Sequence, residues 1–452
     1  MAATVVLTLV LTACGNSNSG NGASPTTTAA GGKTPAAAGN GGEANRNKHV
    51  AISGVPGVSD KAITYSVVGT KQGNPLGTCI LDCYTQGVKA YFAYRNSQGG
   101  IYGRQLQLGQ VLDDQLGMNQ QRALDVISAK KSFGNFNATL LASGWGDLDK
   151  AGIPTYTWGI NATEAANRSH IFPSLPLRCA DCTGRSVPYA AKLVGAHKAA
   201  SLGYGATENS KVCAQGNQKS FNLYQSETGV KGVYLNDNLA YGLPNGIGPE
   251  VSAMKKAGVD FIATCIDLNG MKTLAQELDR QGMGNVVLYH PNTYNQQFVK
   301  QAGKLFEGDI VAVQFRPFEA DSGNEAQAAF KTWMAKQGNQ PSELAMVGWI
   351  NASLAYDGLL AAGPEFDQQK VTDATNAMTD FTAGGLIEGV DWTQAHTPYT
   401  QATRSVDKGD ECAALVRVHD GAFTVVGSKA KPWECWKQAT TKWSNPEPMS
   451  FG

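Results

Sequence analysis

The chain alternates short β-branched apolar runs with helix-length segments, and this alternation constrains its fold more than any other feature. The first complete unit lies at Ala90–Gln115, where a helix ends at Gly99 and Gly100 and a strand follows that finishes on Asp113 and Asp114. Strands that alternate with helices of this length predict parallel sheets built from right-handed βαβ units.

The units fall into two runs, separated by a connection rich in proline and cysteine at Phe172–Pro188. The second run is predicted to open with a helix over Val187–Ser201 and then a first strand over Gly229–Asp237. Two runs of this kind predict an α/β protein with two doubly wound, Rossmann-like lobes. A length of 452 residues agrees with two domains and unstructured ends.

The charge balance excludes some partners. The 37 Lys and Arg residues offset the 37 Asp and Glu residues, so no nucleic-acid or anionic-membrane partner is expected. Only 16% of the residues are charged and 52 are glycine, which indicates a polar, weakly charged secreted protein.

The amino-terminal segment resembles a bacterial lipoprotein signal peptide. Its apolar run, Val5–Leu11, is too short to span a bilayer, and Leu11-Thr-Ala-Cys14 matches a lipobox. No basic residue precedes Cys14, so a chance cysteine is the alternative. We expect a signal peptide over residues 1–13, lipidation of Cys14 and a disordered tether over 14–49 that holds the protein outside the cytoplasmic membrane.

The cysteines indicate an oxidising compartment. Eight of the nine remain once Cys14 is set aside, which is an even number. Zinc is the rival explanation, because Cys79/Cys83 and Cys179/Cys182 are close pairs. Neither pair has a nearby histidine or a second half of a zinc motif, so no metal and no cofactor are expected.

Several motifs together resemble the type I periplasmic binding proteins, and more narrowly the receptors of branched-chain amino-acid ABC transporters. Arg95–Arg104 reads RNSQGGIYGR and is followed by the acids at 113–114. The segments Pro56–Ile63, Tyr241-Gly242 and Ala355–Gly358 also match, and the resemblance covers about Val55–Val426.

The resemblance implies two lobes joined by a three-strand hinge and closing on a ligand. Lobe 1 is then expected at 50–173 and 316–390, and lobe 2 at 174–315 and 391–440. The crossovers are expected near Phe172–Leu177, Val313–Pro317 and Glu388–Trp392. Ligands of such sheets bind beyond the carboxyl ends of the strands.

In lobe 1 the resemblance implies two strand-end loops that offer N–H groups and a hydroxyl to a ligand carboxylate. The residues concerned are Asn137, Thr139, Trp158, Gly159 and Asn161. Packing in the core is the alternative role for Trp158.

In lobe 2 the resemblance assigns Tyr241 to the ligand, with packing under its turn as the alternative. Amino-acid receptors place an acid after a later strand, where this chain has His290-Pro-Asn292. Asp267 is the nearest substitute. Trp349 is expected to cover the cleft, with helix packing as its alternative. The ligand-binding set in lobe 2 and above the cleft is Tyr241, Asp267, His290, Asn292 and Trp349.

The expected lobes also limit the disulfides, because a bond between lobes would lock the hinge. The favoured pairing is Cys79–Cys83, Cys179–Cys182, Cys213–Cys265 and Cys412–Cys435. A disulfide bond from Cys79 to Cys179 or Cys182 would contradict this pairing.

The resulting hypothesis is a monomeric extracytoplasmic lipoprotein that captures an amino-acid-like, amide or organic-acid ligand for the permease subunits of an ABC transporter. A tethered sensor with a signalling partner is one alternative. A secreted hydrolase using Asp113 or Asp114 with His290 is another, although no nucleophile or zinc-protease motif is present. No catalytic residue is expected.

Overall fold

The computed structural model describes residues 46–175, 183–206, 208–291, 293–320, 323–397, 411–430, 432–436 and 443. The predicted signal peptide, Cys14, almost all of the tether, the Cys179–Cys182 pair and Asn292 lie outside this part of the chain.

The first sheet has five parallel strands in the order β2-β1-β3-β4-β5. Its strands are β1 (Ala62–Gly69), β2 (Gln105–Asp113), β3 (Gly134–Ala138), β4 (Thr155–Thr157) and β5 (Ile171–Pro173). This sheet and the helices packed on it form lobe 1.

The second sheet has eight strands in the order β12-β11-β10-β9-β8-β6-β7, and β13 pairs with β11. Strands β6–β10 are parallel, whereas β11 runs antiparallel to β10, β12 and β13. The strands are β6 (Lys198–Tyr204), β7 (Lys231–Leu239), β8 (Phe261–Cys265), β9 (Val287–His290), β10 (Ile310–Val313), β11 (Glu411–His419), β12 (Ala422–Val425) and β13 (Trp433–Trp436). This sheet and its helices form lobe 2.

Helices connect the strands. They are α1 (Leu81–Ser97), α2 (Asn119–Ala129), α3 (Trp145–Lys150), α4 (Ser186–Leu193), α5 (Glu208–Leu223), α6 (Gln225–Thr228), α7 (Gly248–Ala257), α8 (Leu268–Arg280), α9 (Gln296–Ala302), α10 (Glu325–Lys336), α11 (Glu343–Ala362), α12 (Gln368–Asn376) and α13 (Trp392–Ala395), with short 3-10 turns at Gly159–Ala165 and Gly303–Phe306.

Helix α11 is the central helix of lobe 1. Its length and mean hydropathy of 1.2 would allow a membrane span, but 89% of that apolar window is buried inside the fold. It lies against α1, where Gly87 faces the backbone carbonyl of Ala345 so closely that a Cβ atom would collide with it. The apolar composition of α11 therefore reflects burial in the core.

The predicted helix over Val187–Ser201 is wrong in its second half. Helix α4 ends at Leu193, Gly195 adopts a left-handed φ of +74°, and the chain continues as β6. Residues 199–204 are buried between strands β7 and β8 of the second sheet, so tertiary burial overrides the helix propensity of this alanine-rich run. Strand β6, rather than the segment at 229–237, is the first strand of lobe 2, and α5 was not predicted.

Two passages between the sheets fall within the described residues, and the expected crossover positions and lobe bounds stay predictions. The chain leaves the first sheet after β5, and it returns after β10 where Arg316 N donates to Leu386 O at 2.7 Å. The third crossover was expected near Glu388–Trp392. Trp392 contacts Phe172 of lobe 1 with ring centroids 5.2 Å apart, so α13 stays on lobe 1 beyond the expected boundary at 391.

Candidate functional site

The carboxyl ends of the parallel strands form one edge of each sheet, and the candidate site is built from these two edges. In lobe 1 the glycine-rich loop that follows β1, residues 69–77, is anchored at this edge. Although burial disfavours the charged form of Asp113, N–H groups of Gln115, Gln72 and Lys71 donate to its carboxylate and lower its pKa. Asp113 is the last residue of β2, and its hydrogen bonds to Lys71 and Gln72 therefore hold the glycine-rich loop in place.

The turn after β3 uses its polar groups internally. Asn137 Oδ1 accepts hydrogen bonds from Thr139 Oγ1 at 2.7 Å and from Trp145 Nε1 at 3.2 Å. Asn137 and Thr139 are both buried. The Asn137 amide oxygen therefore holds the turn in shape, and the expected role of Asn137 and Thr139 toward a ligand stays a prediction.

The loop after β4 also uses most of its groups for contacts within lobe 1. Trp158 is 6% exposed and packs in the core, in agreement with the alternative role noted for it. Gly159 N donates to Ser174 Oγ at 3.2 Å, so the predicted ligand donor is occupied within lobe 1. Asn161 differs, because its side-chain amide oxygen accepts a hydrogen bond from a residue of lobe 2.

That residue is Asn209, whose amide nitrogen lies 3.0 Å from Asn161 Oδ1 and 3.2 Å from Ile160 O. A second approach between lobes brings Asn269, in the first turn of α8, against the glycine-rich loop, since a Cβ atom on Gly77 would lie 2.8 Å from Asn269 Nδ2. The two strand-end edges thus face each other.

On the lobe 2 edge, Tyr204, Tyr241 and Asp267 form one cluster. The rings of Tyr204 and Tyr241 lie 4.9 Å apart, and the Tyr204 hydroxyl donates to Asp267 Oδ1. Burial, followed by the charge of Asp267, raises the pKa of Tyr241 to about 12. Both phenols therefore stay neutral near pH 7, and the Tyr204 hydroxyl donates to the Asp267 carboxylate.

Tyr241 was assigned to the ligand because the strand before it was predicted to be the first strand of lobe 2, and that prediction of the strand order is wrong. Tyr241 follows β7, an edge strand, rather than the first strand of the lobe, and the residue at the end of the first strand is Tyr204. Tyr241 nevertheless reaches this edge and is 37% exposed. Sequence reasoning missed Tyr204 and Asn209 because β6 and α5 were not recognised; the buried run ending in Tyr204-Gly205 is the signal that could have found them.

The expectation that His290 faces the ligand is also wrong. Its side chain is 2% exposed, and its Nε2 lies 2.9 Å from Asp309 Oδ2. Its ring meets Phe306 edge-on at 5.4 Å. This pair belongs to the core of lobe 2. Asp113 lies in the other sheet with partners of its own, so the pairing required for the hydrolase alternative is not formed.

Trp349 belongs to the core of lobe 1 rather than to the cleft. It stacks on Tyr94 with centroids 5.7 Å apart and meets Tyr91 and Phe330 edge-on. Its exposed fraction is 2%, which leaves little of its surface for contact with a ligand. The helix-packing alternative is correct.

Three of the four expected disulfides are bonded within the described residues. Cys79–Cys83, Cys213–Cys265 and Cys412–Cys435 have Cα–Cα distances of 5.7, 6.1 and 4.1 Å. Each lies within one lobe, so none would prevent movement at the hinge. Cys79 precedes α1, which gives this short loop the freedom that it needs.

Two groups of possible metal ligands occur in the described part of the chain. One contains Glu388 with Cys412 and Cys435, but these two cysteines are bonded to each other. The other, Glu307, His419 and Asp420, is exposed and distant from the strand ends of the candidate site. A cavity of about 170 Å³ also lies away from that edge, at the amino ends of β9 and β10, lined in part by Val286, Leu288 and Asp309.

Comparisons with known proteins agree with this geometry. A profile of the periplasmic binding protein family matches residues 79–422. The chain belongs to the periplasmic binding protein family. Within it, the fold is type I, the fold of the branched-chain amino-acid receptors that the motifs resemble. No curated protein sequence matches the chain significantly.

Solved structures share the fold of this periplasmic binding protein at low sequence identity. A solute-binding protein from R. palustris in complex with 4-hydroxybenzoate has a TM-score of 0.63 and 17% identity, over 84% of this chain and 98% of that one. The substrate-binding protein LivJ from Streptococcus pneumoniae, in complex with isoleucine, has a TM-score of 0.61 and 16% identity, over 83% and 100%. A fatty acid ABC transporter substrate-binding protein from Thermomonospora curvata has a TM-score of 0.56 and 16% identity, over 88% and 98%.

Proposed function

We propose that this protein captures a small solute between its lobes and delivers it to the permease subunits of an ABC transporter. The observation that carries the proposal is the juxtaposition of the two strand-end edges, bridged by the Asn209–Asn161 hydrogen bond. Groups from both lobes can then contact one ligand, and a ligand that contacts both lobes shifts the population toward the closed form. The neighbours named as ABC transporter proteins support the choice of transport over sensing.

The chemistry of the site also favours binding over catalysis. Two of the ionisable groups at the edges, Asp113 and Asp267, are each held by hydrogen bonds from their own lobe. Neither is paired with a nucleophile and a base in the arrangement that hydrolysis requires. The proposal includes the lipid anchor at Cys14, a lobe division near residues 173 and 316, and a monomeric state.

A thermal-unfolding screen tests solute capture. A compound that binds only the folded protein stabilises it by about 2.7 kcal/mol at one hundred times its Kd. We expect at least one compound from a panel of amino acids, amides, urea and aromatic acids to raise the Tm and to be recovered unchanged. Chemical conversion of the bound compound would support the hydrolase instead.

The anchor and the transport role need separate measurements. Cys14→Ser should move the protein from the membrane fraction to the soluble fraction while leaving its Tm unchanged. Deletion of the gene should abolish uptake of the identified solute. Normal uptake together with a loss of solute-dependent gene expression would instead identify a sensor.

A further inference from the structure

The segment at 314–320, here called the crossing segment, follows β10 and carries the chain back to lobe 1. Side chains of α10 hold its backbone. Gln327 is fully buried, and its Nε2 donates to Pro317 O at 2.6 Å. Lys331, one turn further along the helix, donates to Phe318 O at 2.7 Å. The crossing segment is therefore fixed to lobe 1 at two successive carbonyl groups.

Tyr294 of lobe 2 also binds the crossing segment. It lies in the connection between β9, which ends at His290 on the strand-end edge, and α9. Phe318 N donates to the Tyr294 hydroxyl at 2.7 Å, and this hydroxyl donates to Glu319 Oε2. Burial and the charge of Glu319 raise the pKa of the phenol, so it stays neutral and remains a donor. Two hydrogen bonds thus join lobe 2 to a segment that lobe 1 holds.

A row of aromatic rings runs through this contact from lobe 2 into lobe 1. Phe423 of β12 packs on Tyr294 with centroids 5.0 Å apart, and Tyr294 stacks on Phe318 at 5.2 Å. Phe318 in turn stacks on Phe330 of α10 at 5.8 Å, and Phe330 meets Trp349 of α11 edge-on. Apolar contacts of this kind have little directional preference, whereas hydrogen bonds do. The rings therefore keep the lobes in contact, and the two hydrogen bonds fix the angle between them.

We propose that Tyr294 and Glu319 form a hinge contact that stabilises the closed arrangement of the lobes and couples it to the end of β9. Because Gln327 and Lys331 hold the crossing segment to lobe 1, rotation of lobe 2 moves the Tyr294 hydroxyl away from Glu319. Tyr294 is only 4% exposed, so it is a positioning residue rather than a solute ligand. The inference rests on the proposed function, since a solute at the strand-end edge lies one short connection from Tyr294.

Two substitutions in the full chain test the pair. Tyr294→Phe removes both hydrogen bonds and keeps the ring, whereas Glu319→Gln keeps an acceptor and removes the charge. Calorimetry measures the affinity for leucine, benzamide, 4-hydroxybenzoate and every compound that raises the Tm in the thermal screen. We expect Tyr294→Phe to lower the affinity for each binder by about tenfold and Glu319→Gln by about threefold, because hydrogen bonds to charged groups are the stronger ones.

The pattern across probes separates a hinge contact from a solute contact. A smaller closed population lowers the affinity for every solute by the same factor. A residue that touches solute would instead change the ratio of affinities between two probes. The double variant should bind no more weakly than Tyr294→Phe alone, because both residues act through one hydrogen bond.

Tyr94→Phe is the matched control for the loss of a phenol hydroxyl. The Tyr94 ring stacks on Trp349 in lobe 1 with centroids 5.7 Å apart, and its hydroxyl makes no hydrogen bond among the described residues. We expect this variant to keep the wild-type affinity. Thermal unfolding of each variant checks that it is folded, and Glu319→Gln, which keeps the size of the side chain, decides the test if Tyr294→Phe does not fold.

The hinge contact also has a readout without solute. Small-angle X-ray scattering of the solute-free chain should give a larger radius of gyration for Tyr294→Phe than for the wild type or Tyr94→Phe. The reason is that fewer molecules populate the closed arrangement when the two hydrogen bonds are lost.

The outcomes are distinguishable. A uniform loss of affinity or a larger solute-free radius in Tyr294→Phe supports the inference. Wild-type values of both, or a loss that differs between probes, would overturn it; with a compound still bound by the wild type, solute capture stays intact. If no compound binds the wild type, the proposed function fails, and the solute-free radius alone then supports or overturns the hinge contact.

Discussion

The two lobes stabilise their interiors with different side chains. In lobe 1, successive sheet positions stack neutral rings: Tyr65, Phe136, Tyr156 and Phe172 follow one another at centroid distances of 5.1, 5.5 and 5.5 Å. Arg104, which is buried there, donates to three backbone carbonyls. These rings stay neutral and Arg104 stays charged between pH 5 and 8, although lobe 1 also buries the Asp114 carboxyl, whose pKa burial raises.

Lobe 2 buries more carboxylates than lobe 1 among the described residues. Asp267, Asp309 and Glu434 are each at most 5% exposed. Asp309 is paired with His290, but neither oxygen of Glu434 has a hydrogen-bond partner in the described structure. We propose that lobe 1 is the more rigid lobe, held by its aromatic rings and the contact of α1 with α11, whereas lobe 2 holds more of the buried carboxylates, whose protonation depends on pH.

The largest effect on stability is expected from a substitution in lobe 1. In Gly87→Ala the new Cβ would collide with the Ala345 carbonyl, so α1 and α11 must separate. Overpacking at a backbone contact should cost about 3 kcal/mol of unfolding free energy. Denaturant unfolding measures it, with Gly216→Ala as the control. A loss below about 1 kcal/mol would show that lobe 1 is less rigid than proposed.

The next effect is in the core of lobe 2. His290→Ala removes the partner of the buried Asp309 carboxyl, whose pKa is already raised by burial. Loss of one member of a buried pair should cost about 3 kcal/mol. Solute affinity of the folded variant, measured by calorimetry, should not change. A loss of affinity at unchanged stability would return His290 to the binding site.

Glu434 should make stability depend on pH. Burial raises its pKa to about 7 from 4.5, so the folded state holds the proton more tightly than the unfolded state. Its stabilisation is complete below about pH 4.5 and is lost as the pH rises to about 7. Glu434→Gln should abolish this loss, which we expect to be about 1–2 kcal/mol. Thermal unfolding of both proteins at pH 5, 6 and 8 provides the measurement, and parallel curves would argue against a raised pKa.

The smallest effect is expected between the lobes. Asn209→Ala removes the hydrogen bonds to Asn161 and Ile160, worth about 1 kcal/mol in total. Because they form in the closed state, solute affinity should fall about fivefold while the Tm without solute stays constant. A lower Tm without solute, at constant affinity, would place Asn209 in the stability of lobe 2 instead.

Much of the architecture followed from periodicity. The helix that ends before Gly99 and the strand that finishes on Asp113 were predicted from the sequence, because glycine stops and β-branched runs are local signals. The segment at 198–204 was not predicted, since its alanines favour a helix until the neighbouring strands bury them.

The site was less predictable for a related reason. Sequence places residues at strand ends, but it does not show whether a side chain is already bonded to its own turn. Asn137 and His290 lie at such ends and are occupied by Trp145, Thr139 and Asp309. Asp267 was proposed for its charge alone, and its contact with Tyr204 depends on the order of strands in the sheet.

Closure of the two lobes on solute is the central claim, and small-angle X-ray scattering tests it most directly. The radius of gyration of the full chain is measured without solute and with a saturating amount of the compound that raises the Tm most in the screen. We predict a smaller radius of gyration with solute, and a reduced response in Asn209→Ala at the same subsaturating concentration. An unchanged radius of gyration with the compound demonstrably bound would contradict capture by lobe closure.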